Sequence, residues 1–206
     1  MLKITSYILT FFLLTNCNNK IESKFAFTSK TIDTLEYNKN KNLCSFNNPD
    51  TSVLKINLRD IASAEKLLND RDKLDNKEYY HFYSILDRET LSMKQHPGDG
   101  KHQISTFKVE KSDKANYGYR KINVASFETE KGIKLGMTKN KIIEKLGHCF
   151  EIIDSTKIYI ELYYKIESPN DSKTKLLERQ NMPSYFASYK FCYNKLVKFE
   201  FGFDYP

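Results

Sequence analysis

Alternation of apolar and polar side chains is the clearest pattern in the chain. Over residues 157–165, Ile158, Ile160, Leu162 and Tyr164 share one parity. Lys157, Tyr159, Glu161, Tyr163 and Lys165 share the other. Successive side chains of a strand point to opposite faces, so this pattern predicts a strand with one buried and one open face. Residues 196–203 repeat it, with Val197, Phe199, Phe201 and Phe203 against Lys198 and Glu200. Further strands are expected at 79–86, 90–95, 102–109, 119–127, 149–154 and 185–193, with the PGDG of 97–100 as a hairpin turn. Two stretches switch to helical spacing. Asp60 stands where it could cap a helix carrying Ile61, Ala64, Leu67 and Leu68. Thr138 stands likewise before Ile142, Ile143 and Leu146, with Gly147 as the stop.

The two helical stretches resemble each other. Setting Glu65-Lys66-Leu67 over Glu144-Lys145-Leu146 gives an offset of 79 and places Ile56 on Leu135, Leu58 on Met137 and Ala64 on Ile143. Each is followed by about four strands. The expected fold class is therefore α+β, as two tandem units at 51–127 and 128–206. Each would be a short helix packed on an antiparallel sheet of about four strands. Residues 17–50, rich in Asn, Lys and Ser, are expected to form a tether. The segment 166–183 is long for a hairpin connection, which marks it as functional or mobile.

Residues 1–16 have the form of an export leader: Lys3, then the apolar run of 4–14 (ITSYILTFFLL), then an abrupt polar switch. As a helix that run spans roughly 16 Å, about half of a bilayer core, which suits a signal peptide better than a membrane span. Leu14-Thr15-Asn16-Cys17 resembles the lipobox of bacterial lipoproteins, with Asn16 in place of the usual small residue. The resemblance implies acylation of Cys17 and cleavage before it, and Asn18, rather than an Asp, implies the outer membrane. The alternative is plain secretion with a disulfide at Cys17. With Cys17 acylated, Cys44, Cys149 and Cys192 remain, and the sequence does not choose between one bridge and three buried thiols.

Gly132-Ile-Lys-Leu-Gly136-Met-Thr-Lys with Leu146-Gly147 resembles the signature of the small lipoprotein family of the outer-membrane barrel-assembly machine. It is also similar to the β-lactamase inhibitor protein family, which is a tandem of helix-plus-sheet units. The first unit departs from this pattern, with Asn57 and Leu58 where the second has Gly136 and Met137. The resemblance implies a non-enzymatic protein-binding role.

Composition narrows the field further. The chain has 206 residues and a net charge of +7, with 28 of its 33 cations Lys, and the 14 Tyr and 14 Phe exclude a disordered chain. The lysines are scattered and Arg is scarce, so nucleic acid is not expected as a partner. His96 and His102 flank the PGDG turn but are too few for a zinc site. His148 and Cys149 are adjacent, so on a strand they would face opposite ways and form no dyad. Gly98-Asp99-Gly100-Lys101 precedes a strand, whereas a phosphate loop precedes a helix. The acidic pairs Asp70/Asp72 and Asp87/Glu89 sit in polar loops, and no cofactor is implied.

The expected function is that of an envelope lipoprotein, held at the membrane by the lipid on Cys17. It would bind an envelope protein without catalysis, through Tyr159 and Tyr163 framed by Lys157, Glu161 and Lys165. The alternatives are an envelope hydrolase with an unrecognised site, and a glycan- or peptidoglycan-binding module using tyrosine stacking.

Overall fold

The structure is a computed structural model that describes residues 46, 48–74, 78–86, 88–112, 119–167 and 174–205, all within a compact unit spanning 38–206. The expected leader, Cys17, Cys44 and most of the expected tether lie outside the described residues. Strands β1 (Ser52–Val53) and β2 (Ile56–Asn57) form a small hairpin. A single turn of helix follows, α1 (Ile61–Ala64). Then come β3 (Tyr79–Ser84), β4 (Glu89–Lys94), β5 (Thr106–Lys111) and β6 (Arg120–Ile122). The second half holds α2 (Lys139–Leu146), β7 (Glu151–Ser155), β8 (Tyr159–Ile166), α3 (Leu176–Gln180), β9 (Ser184–Cys192) and β10 (Lys195–Asp204).

The eight longer strands make one sheet in the order β6-β3-β4-β5-β10-β9-β8-β7. This overturns the expected pair of tandem helix-plus-sheet units: the described residues are mostly β, with three short helices among them. The physical reason is the β5–β10 ladder, from Lys198↔Glu110 to Gly202↔Thr106, which satisfies the edges that two separate sheets would have left open. The two halves also differ internally. β7 to β10 form a plain antiparallel meander, whereas β6 returns to pair parallel with β3, at Phe82↔Arg120 to Ser84↔Ile122. α1 stops after one turn, although Asp60 caps it by accepting from the Ser63 N–H (3.2 Å). The strand expected at 119–127 ends at Ile122, and the chain turns inward to bury Phe127, whose N–H donates to Glu89 Oε2 (2.8 Å).

One face of the sheet carries the core. Tyr80, Phe82, Leu91, Met93, Phe107, Val109, Leu162, Tyr164, Tyr189, Phe199, Phe201 and Phe203 all lie in it, at 4% exposure or less. α2 adds Ile142 and Leu146, and its C-terminus is pinned to β8 by the Tyr164 hydroxyl, which donates to the Gly147 carbonyl (3.0 Å). Thr138 is the N-cap residue of α2, but its side chain makes no capping bond. Within 166–183, α3 buries Leu176 and Leu177 against the same core. Ile158, expected in the core, is instead 39% exposed, because the strand begins only at Tyr159 and Ile158 sits in the preceding turn.

At the margin of the core, Asp50 is fully buried. Its Oδ2 accepts from the Tyr189 hydroxyl (2.6 Å) and its carbonyl from Tyr185 (2.7 Å), while Lys131 Nζ lies 3.6 Å from Oδ1. Lys131 also donates to the Pro49 carbonyl (2.6 Å), and Glu130 accepts from the N–H groups of Thr51 and Ser52. Burial raises the Asp50 carboxyl above its ordinary range against the pull of Lys131, and burial also pushes both tyrosine hydroxyls well up. A buried charge of this kind persists only where it is paired and hydrogen-bonded. The network ties the approach to β1 onto β9.

Candidate functional site

The face opposite the core is built by the other parity of every strand. In one cross-strand row, Tyr163, Ser188, Glu200, Lys108, Ser92 and His81 lie side by side from β8 to β3. The next row holds Glu161, Lys190, Lys198, Glu110, Thr90 and Tyr83. At ~4.8 Å between strands, the distance from β8 to β3 is roughly 24 Å.

The centre of this face is charged and internally paired. Lys108 meets Glu110 at 2.8 Å, Lys198 meets Glu200 at 3.0 Å, and Lys190 lies 3.4 Å from Asp154 and 3.6 Å from Glu161. Glu161 also accepts from Ser188 Oγ (2.5 Å). Burial opposes the charge of Lys108, yet the bond to Glu110 outweighs it and holds its pKa above the usual value. Between the long side chains the strands present small ones. Ser92, Thr106 and Ser188 are buried, and Gly202 sits between Thr106 and Phe186.

Aromatic groups flank the charged centre. On the β8–β9 side Tyr163 stacks on Phe186 (centroids 6.4 Å apart), and Lys190 Nζ stands 5.5 Å over the Tyr159 ring. On the β3–β6 side Tyr79, His81 and Tyr119 form a continuous stack, at 5.7 and 4.3 Å with planes 11° apart, and Tyr83 leans on Tyr119 at 5.4 Å. His81 Nδ1 is hydrogen-bonded to Ser92 Oγ (2.9 Å), which sets its ring orientation.

The structure thus places Tyr159, Glu161, Tyr163 and Lys165 together on the open face of β8, with Lys165 paired to Glu167 at 2.6 Å. Lys157 is separated from them, in the turn before the strand. Sequence reasoning missed the Tyr79–His81–Tyr119 flank. The alternating tyrosines of 79–83 were a usable signal, but the return of residues 119–122 to that edge was not legible. Gly202 was missed as well.

The other chemistry considered is spread out or used structurally. His96 packs edge-on against Tyr205 (4.5 Å), while His102 is buried beside Tyr80, so the two histidines do not converge. Asp99 of the PGDG turn is a hub. It accepts from Arg59 (2.9 Å), Tyr205 (2.9 Å), Ser105 (2.7 Å) and the His96 N–H (2.8 Å). Burial opposes its charge, but these bonds win and hold its carboxyl below the ordinary value. Cys149 and Cys192 are both disulfide-bonded, and the register of β7, β8 and β9 sets them roughly 20 Å apart, too far to bridge each other. Among the described residues, no group of three or more His, Cys, Asp or Glu is placed to hold a metal, and no helix is long and apolar enough to cross a membrane.

No protein-family model matches the chain, and neither the curated proteins nor the solved structures contain a significant match.

Proposed function

We propose that this is an exported protein of the bacterial envelope that binds another protein across the open face of its sheet without chemistry of its own. The observation that carries this reading is the layout of that face: two aromatic flanks about 24 Å apart around a charged, self-paired centre. Tyrosines offer large contact area for little rotamer entropy, and pre-paired charges lose less on desolvation than lone ones. A width of five strand spacings suits a protein surface of standard interface size.

A glycan partner fits less well. Stacking on a sugar needs an open ring face, and here ring faces are used internally: Tyr79 on His81, His81 on Tyr119, Lys190 over Tyr159. A hydrolase fits less well again, because the polar groups that converge on Asp50 are sealed from solvent and hold the chain together, and those that converge on Asp99 are spent on one another.

The test is site-specific photo-crosslinking in cells from Tyr163 and His81, with Lys101 as the off-face control. A common protein adduct from the first two, absent from the third, is expected. Binding of the identified protein should weaken by about 30-fold, or ~2 kcal/mol, in the double variant Tyr159→Ala/Tyr163→Ala, with thermal stability nearly unchanged. Adducts that do not distinguish the open face from Lys101 would overturn the reading.

A further inference from the structure

At one end of the sheet two hairpin turns stand side by side. The β7–β8 turn closes with the Thr156 N–H donating to the Tyr159 carbonyl (2.8 Å) and carries Lys157 and Ile158. The β9–β10 turn consists of Tyr193 and Asn194, at φ 46° and 61°. The two are tied together by the Tyr193 N–H, which donates to the Ile158 carbonyl (2.9 Å). Positive φ at both central residues is the type I′ pattern, for which Asn and Gly are the suited residues. Tyr is not: a bulky side chain in this region is strained. The Tyr193 ring is 61% exposed, the most exposed of the large apolar side chains described, and Ile158 beside it is 39% exposed.

The surroundings of this tip are basic. Lys157 is exposed in its turn, and Lys195 is exposed at the first position of β10. The start of α2 is fastened to the tip by the Lys139 N–H, which donates to Asn194 Oδ1 (3.3 Å), and by the Thr138↔Lys195 bridge. It brings Lys139 and Lys141, with no acidic residue in the first helical turn. The N-terminal end of a helix favours negative charge, so two lysines there add to a positive field that a carboxylate would normally offset. The nearest acids by register, Asp154 and Glu161, are both engaged by Lys190. Convex apolar tips ringed by cations match a flat anionic surface better than a protein groove, and Tyr is a side chain that settles at the headgroup level of a bilayer.

We propose that this double-hairpin tip docks on a bilayer carrying anionic headgroups. Tyr193 and Ile158 sit at the headgroup level, and Lys139, Lys141, Lys157 and Lys195 stand against the phosphates. The strands then rise from the membrane, and the open sheet face stands clear of it for a partner. The tip lies on a different surface from that face and does not depend on it, so either proposal can fail alone.

The chain contains no tryptophan, so Tyr193→Trp in the full chain creates a unique reporter. The protein is mixed with vesicles of phosphatidylcholine and phosphatidylglycerol whose acyl chains are brominated near the headgroup. About a twofold loss of emission is expected for Tyr193→Trp, and little for Lys101→Trp, just after the PGDG turn at the far end of the sheet. Adding Lys157→Glu/Lys195→Glu, or using phosphatidylcholine alone, should abolish the quenching. Because the reporter reads position and not attachment, a lipid on Cys17 does not produce the result. Ile158→Trp repeats the measurement from the other hairpin. Tyr193→Asn, which suits positive φ, should keep or raise the melting temperature while weakening vesicle binding, which separates docking from folding. Equal quenching at both ends, equal quenching on neutral vesicles, or none at either hairpin would each overturn the proposal. Absence of quenching together with binding to polyglutamate would assign the tip to an acidic protein instead.

Discussion

Replacing Lys131 with Met should destabilise the protein strongly near neutral pH and only slightly in acid. Lys131 Nζ stands 3.6 Å from Asp50 Oδ1, and Asp50 is fully buried. At an effective dielectric of ~20, two unit charges at that distance attract by about 4–5 kcal/mol. Part of this is offset because the ammonium regains water when free, and Lys131 also serves Glu130 at 3.2 Å. A net loss of about 3 kcal/mol near pH 8 is therefore expected, consistent with the cost of stranding one partner of a buried pair. Burial already raises the folded-state pKa of Asp50. A carboxyl raised in this way contributes stability that is complete below its unfolded pKa, near 4, and is lost as pH rises through the folded value. Without Lys131 the folded value rises further, so the added loss develops only as pH climbs through it. Below it Asp50 takes up a proton and is neutral. What remains in acid is the bond from Lys131 to the Pro49 carbonyl (2.6 Å), about 1 kcal/mol. Glu130 reinforces the trend. Despite the opposing effect of burial, Lys131 and the bonded backbone N–H groups hold its carboxyl low, so that stability too is present at neutral pH and fades in acid. Urea unfolding of wild type and variant at about pH 5 and about pH 8 measures the difference, and Asp50→Asn serves as a control that removes the charge while keeping the shape. A loss that is equal at the two pH values, or an Asp50→Asn variant as damaged near pH 8 as Lys131→Met, would refute the argument.

Gly202→Ala should destabilise by on the order of 3 kcal/mol, because an added Cβ would overlap the Ser105 carbonyl oxygen and come within 2.6 Å of Thr106 Cα; chemical denaturation measures it. Asp99→Asn should lose about 2 kcal/mol at neutral pH. Since the folded carboxyl lies below its ordinary value, that difference should shrink as pH falls through the folded pKa, which acid titration of the unfolding midpoint tests. Alkylation of the non-reduced protein should leave Cys149 and Cys192 unmodified. Cys17 and Cys44 are the other two cysteines, so peptide mapping by mass spectrometry decides between a bridged Cys17, which leaves a secreted form, and an acyl adduct on Cys17, which would leave one of Cys149 and Cys192 open to alkylation and overturn the expectation.

Local pattern determined more here than chain order suggests, and less than a fold. The alternation of 157–165 and 196–203 marked Leu162, Tyr164, Phe199, Phe201 and Phe203 for the core, since a strand has only two faces and burial selects one; it failed at the strand starts, where Ile158 is exposed and the irregularity between Leu196 and Lys198 buries Leu196 in place of Val197. Helix α2 was legible for a similar reason: Ile142 and Leu146 share a face, and Gly147 ends it at φ 87°. Alternation states a strand's faces but not its neighbours. The β5–β10 ladder that fuses the halves joins residues about ninety positions apart, and the parallel return of β6 to β3 left no local trace. The same holds for the lock at Asp50, whose partner Tyr189 lies 139 residues away. It holds too for Gly202, which is required only because β5 passes so close. The candidate face divides along this line. Tyr159 and Tyr163 were readable because one strand carries them, whereas their pairing with a second aromatic flank exists only because tertiary structure sets β3 and β8 in the same sheet. Hydrophobic periodicity is a property of a segment, whereas strand order is settled by which distant edges best satisfy each other's backbone hydrogen bonds and bury each other's apolar faces.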